Sequence, residues 1–336
     1  MRCLLPCLLP LALHAQAPDG PELVYAGDTG PLHGRHVVFV AGDEEYRSEQ
    51  SLPQLARILA FRLGARASVC LPLDSKGAID PGVNDSLPGL AALRTADLLV
   101  LLVRFRALPD AAMQLFADHV AKGLPIVALR TSTHAFALPP ESKFASWSWN
   151  APDGGFGRRV LGETWIAHHG EHGVQGTRGL LAAGAASHPI LRGVDPAAVF
   201  DPADVYHVRL PLPDGCTPLL LGDVLQSMQP DAAPVADQGE RMPIVWVREL
   251  PVGAGKQRVC TATLGSAAAL LHEGTRRLLV NACLWAIGCE DAIRADLDVA
   301  LVGDYAPLPF GFGKHARGVT PADLAWPRAA TQPPPK

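Results

Sequence analysis

The chain of 336 residues has no basic run, no CxxC pair, no internal repeat, and no apolar stretch as long as the about 20 residues that a membrane span requires. Only 18% of its residues are charged and the net charge is -4, with a pI near 6.3, so no basic face is offered to nucleic acid. Three common α/β chemistries also lack their signatures. There is no GxSxG elbow, no P-loop, and no GxGxxG after the first strand-like segment.

What is present describes a globular chain, 48% apolar with a mean hydropathy of +0.15. Residues 1–17, MRCLLPCLLPLALHAQA, combine Arg2, an apolar run and a small-x-small ending at Ala17, the pattern of a secretory signal peptide. An exported protein of the bacterial periplasm or exterior is therefore expected, with no membrane span in the mature chain. Cleavage would remove Cys3 and Cys7 and leave Cys70, Cys216, Cys260, Cys283 and Cys289, an odd set that cannot all pair internally. A disulfide among them is open, and a core of this size does not require one.

After a Pro- and Gly-punctuated lead at residues 18–34, HVVFVAG at 36–42 predicts a buried strand and residues 51–64 carry apolar side chains at helical spacing. Strands are expected again at 67–73, 97–103 and 126–131, with a helix at 110–123 ended by Gly123. Apolar strands alternating with helices predict a parallel sheet with helices on both faces. From about Phe144 the pattern turns to loop-rich segments with shorter strands, expected to wrap over that sheet. Residues 243–250 and 256–265 predict an antiparallel pair, because the few residues between them cannot hold a crossover helix. A helix at 273–288 closes a domain spanning residues 35–290, and the Pro- and Gly-rich tail at 291–336 is expected to be extended or disordered.

In open α/β sheets the ligand crevice lies beyond the carboxyl ends of the strands, so the polar residues there are the candidates for chemistry. The first strand runs into Asp43, Glu44, Glu45, Tyr46, Arg47 and Glu49, which can bind hydroxyls or move a proton, or can simply cap the following helix. Arg104 and Arg106 follow the third strand and Arg130 the fourth, as ligand-orienting groups or as partners of those acids. The fourth strand then empties into Thr131, Thr133 and His134. WIAHHGEHG adds His168, His169 and His172; neighbouring strand residues face opposite sides, so one of the first two at most enters a given pocket. A metal site would have to recruit His172, His134 or a distant acid, at a spacing that matches no common zinc signature.

In their order, GDEEYRSEQSLPQLARIL, ADLLVLLVRFRALP, GLPIVALRTSTHAF, TWIAHHGEHG, SHPILRGV, PIVWVREL and RRLLVNACLWAIG resemble the trehalose-utilisation, or ThuA-like, family over roughly residues 35–290. That resemblance implies a flavodoxin-like fold related to class I glutamine amidotransferases, a parallel sheet with helices on both faces and an antiparallel, loop-rich elaboration. At the turn where true amidotransferases hold a nucleophilic cysteine, this chain has Arg130 to His134, so glutamine hydrolysis is not expected. The family is associated with disaccharide metabolism and keto-sugars. A carbohydrate is thus the expected partner and no cofactor is expected, with His134, Glu44, Glu45 and His169 as catalytic candidates. Asp43, Tyr46, Arg104, Arg130, Thr131, Thr133 and His168 are the candidates for holding substrate. The expected chemistry is isomerisation, epimerisation or keto-glycoside hydrolysis. Two alternatives stand beside it: a non-catalytic carbohydrate- or protein-binding module, and a divalent-metal hydrolase using the histidine cluster.

Overall fold

The computed structural model describes residues 23–253 and 255–327. The signal peptide expected at residues 1–17, and the export inferred from it, lie outside those residues, as do residues 328–336 of the tail.

The run of β-branched and aliphatic residues at the start forms β2 (His36–Gly42), preceded by a short β1 (Leu23–Ala26) and followed by α1 (Ser48–Phe61). Next come β3 (Arg66–Cys70), β4 (Leu98–Val103), α2 (Asp110–Ala121) and β5 (Ile126–Leu129). Both faces of β2 and β4 are buried along their whole length, which is why their sequences are continuous apolar runs rather than alternations. The second half contributes β6 (Ala167–His168), β7 (Thr177–Leu181), β8 (Phe200–Asp201), β9 (Tyr206–His207), β10 (Cys216–Val224), β11 (Pro243–Val252), β12 (Gly255–Ala262) and α3 (Glu273–Ala286).

The result is a mixed α/β protein on one ten-stranded sheet in the order β1-β3-β2-β4-β5-β12-β11-β10-β7-β8. β3, β2, β4, β5 and β12 are mutually parallel, and every other pairing in the sheet is antiparallel. Two expectations change here. The second half does not wrap over the sheet but continues it edgewise, because β12 pairs with β5 on one side and with β11 on the other, leaving β11 an open edge for β10. Only β6 and β9 stand apart as a two-stranded sheet. The lead segment likewise joins the sheet, with Leu23 opposite Val69.

Two apolar clusters hold the sheet. Val37, Phe39 and Ala41 of β2 pack with Leu52, Leu55 and Leu59 of α1 and with Leu278 and Leu284 of α3. Val38 and Val40 belong to the other cluster, with Met113 and Phe116 of α2. Each fully buried side chain of this size stabilises by about 1.5–3 kcal/mol, so the two clusters fix where the strand ends fall.

All five described cysteines are free thiols, three of them buried. The segment from residue 291 to 327 is extended, with short turns of 3₁₀ helix at Glu290–Ala292 and Pro321–Leu324, yet it is anchored. Tyr305 Oη donates to Ala267 O at 2.8 Å, and Gly311 N donates to Glu45 O at 2.8 Å. Those contacts carry the tail across the carboxyl edge of the parallel strands.

Candidate functional site

The turn after β2 is built on one carboxylate. Asp43 Oδ1 accepts from the backbone N–H groups of Glu45 (2.7 Å) and Tyr46 (2.5 Å), and Ser48 Oγ accepts from Gly42 and Asp43 N–H. Asp43 thus shapes the turn, while Ser48 serves the strand end rather than capping α1, which has no side-chain cap. Glu44 lies between Arg104 and Arg106 and pairs with both; its Oε2 is 3.1 Å from Arg106 Nη2. Among the described residues, the non-glycine positions with positive φ are Arg47 (60°), Phe105 (46°) and Arg130 (38°), one in each turn beyond β2, β4 and β5. Such conformations cost about 1–3 kcal/mol each and persist where the surroundings impose them.

Arg130 is the hub. Its Nη1 donates to the carbonyls of Asp204 (2.7 Å) and Thr263 (2.9 Å), and its Nη2 to Tyr46 Oη (3.0 Å) and Asp204 Oδ1 (3.1 Å). The guanidinium lies 4.2 Å from the centroid of the Tyr46 ring and 4.2 Å from that of Tyr206. Thr131 Oγ1 donates to Asp43 Oδ2, tying the two turns together. Asp43, Tyr46, Arg130 and Thr131, expected against a ligand, all have zero exposure and form the layer behind the surface. Thr133 is enclosed as well, its hydroxyl 3.3 Å from His134 Nδ1.

His134 closes the turn after β5 and is almost fully buried. Its ring sits 5.0 Å from Phe105, 5.1 Å from Trp165 and 5.8 Å from Tyr206. Burial, followed by the positive charges of Arg104 and Arg130, holds its pKa well below the usual histidine value, so the imidazole is neutral at physiological pH.

Above it, β6 and β9 pair with His168 opposite Tyr206. His168 Nδ1 is 2.7 Å from Asp204 Oδ2, and His172 Nδ1 is 3.0 Å from Asp204 Oδ1. His172 Nε2 in turn is 2.9 Å from Glu45 Oε1. His169 takes the opposite side of the strand, its ring 6.0 Å from that of His207, so of the two neighbours it is His168 that joins the cluster. Donor atoms of His168, His172 and Asp204 all lie within 4.8 Å of one another, and these are the described residues grouped so as to hold a metal ion. Asp204 is fully buried; burial alone would raise its pKa, but hydrogen bonds from His168 and His172 and the charge of Arg130 bring it down to about 2. Glu45 shifts the other way, raised first by burial and then by the charge of Asp43.

No family model matches the chain, and no curated protein matches it. Among solved structures it is similar to a ThuA-like protein from Parabacteroides merdae ATCC 43184, at 16% identity over 75% of this chain and 90% of that one, with a TM-score of 0.45. A ThuA-like protein from Bacteroides uniformis ATCC 8492 gives 13% identity over 82% and 95%, with a TM-score of 0.44. The mmIFT52 N-terminal domain gives 12% over 75% and 96%, with a TM-score of 0.39. At this distance nothing passes from these proteins to the side chains of the site.

An aromatic wall surrounds the cluster. Phe105 packs at a tilt against Trp149 with ring centroids 5.2 Å apart, and Trp149 lies 6.1 Å from Trp165. From the tail, Phe310 packs 5.3 Å from Tyr46 and 6.2 Å from His172, while Phe312 is exposed beside Arg104. Trp165 Nε1 is buried without a hydrogen-bond partner, a donor that a bound ligand could satisfy. Asp204, Tyr206, Trp165 and the tail aromatics are the site residues that sequence reasoning missed. The available signal was the i, i+2 pair Asp204 and Tyr206 in DVYHVRL, which an extended segment places on one side.

Proposed function

We propose that this crevice takes a small carbonyl-bearing, hydroxyl-rich ligand, a sugar or keto-sugar, and that His134 moves a proton on it. The observation that carries the assignment is the setting of His134, whose ring ends the turn beyond β5 among Phe105, Trp165 and Tyr206. The other titratable groups around it are held in pairs: Glu44 by two arginines, Asp204 by Arg130 and two histidines, and Glu45 by His172. The His134 ring has one polar contact, the long one to Thr133, and burial pushes its pKa down toward the neutral form. A neutral imidazole in an enclosed aromatic setting can accept a proton from a carbon beside a carbonyl and return it, the step common to isomerisation and epimerisation.

The surroundings fit such a ligand. Flat aromatic faces at Phe105, Trp149 and Trp165 pack against the apolar faces of a sugar ring, and carboxylates and histidines at the rim accept and donate to its hydroxyls. Trp165 Nε1 supplies a donor with nothing else to bond. The resemblance of the sequence segments to ThuA-like proteins supports the same substrate class, and a flavodoxin-like arrangement agrees with the two apolar clusters that flank the sheet.

The test is isothermal titration of a keto-glycoside and of the glycoside lacking the ketone. The native protein should bind the ketone form, and Trp165→Phe, which keeps the ring and removes the donor, should weaken it by about 1–3 kcal/mol. Equal, undetectable heat for both compounds would remove the carbohydrate assignment.

A further inference from the structure

We propose that His168, His172 and Asp204 are the protein ligands of a divalent transition-metal ion, with Glu45 as the outer partner of His172. The proposal concerns the same crevice but does not rest on the identity of its organic ligand.

Two nitrogens and one carboxylate converge from three places in the chain. His168 comes from β6, His172 from the turn four residues on, and Asp204 from the segment entering β9. The separations of 2.7 Å and 3.0 Å from the two Nδ1 atoms to the Asp204 oxygens are slightly shorter than the roughly 3.3 Å between ligand atoms that metal bonds of about 2.0–2.2 Å impose in a tetrahedral site. A sub-ångström opening would therefore admit an ion. Three protein ligands with exposed histidine flanks leave coordination positions free, as catalytic sites require and closed structural sites do not.

The carboxylate that would orient one of these histidines is already in place. A metal-ligating histidine donates its other ring nitrogen to a carboxylate, which fixes its tautomer and orientation; His172, ligating through Nδ1, has Nε2 at 2.9 Å from Glu45 Oε1. Asp204 is fixed from behind by Arg130 through both its backbone carbonyl and its carboxylate. Two imidazoles and one carboxylate suit zinc, iron(II), cobalt(II) or manganese(II) rather than calcium or magnesium, which take oxygen donors.

The experiment uses tag-free protein stripped with a chelator and titrated with Zn²⁺ alone, without sugar, against a chromophoric competitor. The expected result is one equivalent bound. His168→Ala and His172→Ala, both at the exposed rim, should each weaken binding by more than the about 10–100-fold that loss of an outer-shell partner costs, and Glu45→Gln should weaken it within that range. His33→Ala, at an exposed position away from the site, should leave it unchanged. Circular dichroism of each variant separates lost ligands from lost fold. Absence of stoichiometric Zn²⁺ in the native protein, or equal binding by native protein and a folded His168→Ala/His172→Ala double variant, overturns the proposal. Because no sugar is present, either result leaves the assignment of the organic ligand to its own titration.

Discussion

Arg130 and Asp204 are both completely buried and meet at 3.1 Å, joining the turn after β5 to the segment that carries the histidine cluster. Through Asp204 the pair also meets His168 and His172. On one side of it lie the turns of the parallel sheet, and on the other the residues that enter β9.

Removing one partner of such a pair leaves the other charged and desolvated, at a cost of about 3–5 kcal/mol. Arg130→Met should lower stability in urea by that amount, and the double variant Arg130→Met/Asp204→Leu should recover part of it. A loss below 1 kcal/mol in the single variant would show that the pair does not hold the two halves of the site together.

Glu49 has its pKa raised to about 7 from an ordinary 4.5, chiefly by burial, with Arg47 opposing. Between those values the folded protein keeps a proton that the unfolded chain has released, so stability falls as pH rises through the interval, by about 3 kcal/mol at most. Glu49→Gln should flatten that fall in urea midpoints taken from pH 4.5 to 8. An unchanged slope would place the charged carboxylate in a better-solvated setting than the structure describes.

His119 works in the opposite direction. Burial lowers its pKa to about 4 against a bond to Pro125 O at 3.0 Å that raises it. The unfolded chain takes up the proton first as pH drops, so stability present above 6.5 is lost toward 4, again by about 3 kcal/mol at most. His119→Gln should remove this loss, read by the same titration below pH 6.5.

Gly162 has φ of 105°, and a Cβ there would meet Trp246 Nε1 at 2.6 Å and Cys216 Sγ at 2.8 Å. The indole it would push aside donates to Leu161 O at 2.7 Å. Gly162→Ala should therefore cost about 1–3 kcal/mol, with a matching drop in Tm. A neutral substitution would mean that the backbone at this turn relaxes freely.

Much of the central sheet is legible in the sequence. β2 and β4 were visible because strands buried on both faces are written as unbroken runs such as VVFV and LLVLLV, and the β11–β12 hairpin because its connection is too short for anything else. The edgewise extension was not readable. β8 and β9 are two residues each, too short for any periodicity, and nothing local tells whether β10 caps a sheet or continues it.

The site divides in the same way. Clustered polar residues after β2, β4 and β5 were recognisable from their place beyond apolar strands. Asp204 is far weaker in the sequence, because its partner Arg130 lies 74 residues away and the only local signal is its i, i+2 spacing from Tyr206. The tail is extended, one of the two states its composition allows, and its anchors, such as Gly311 N–H to Glu45 O and Tyr305 Oη to Ala267 O, are long-range bonds that composition does not report.

If His134 moves a proton on a carbonyl-bearing sugar, solvent exchange reads that step most directly. A keto-glycoside is incubated with the protein in deuterated water, and the hydrogen beside the carbonyl is followed by NMR. The native protein should replace it with deuterium far faster than buffer alone, and a folded His134→Asn should lose that acceleration while still binding the ligand. Equal exchange in the two proteins, with binding intact in both, would contradict the role given to His134.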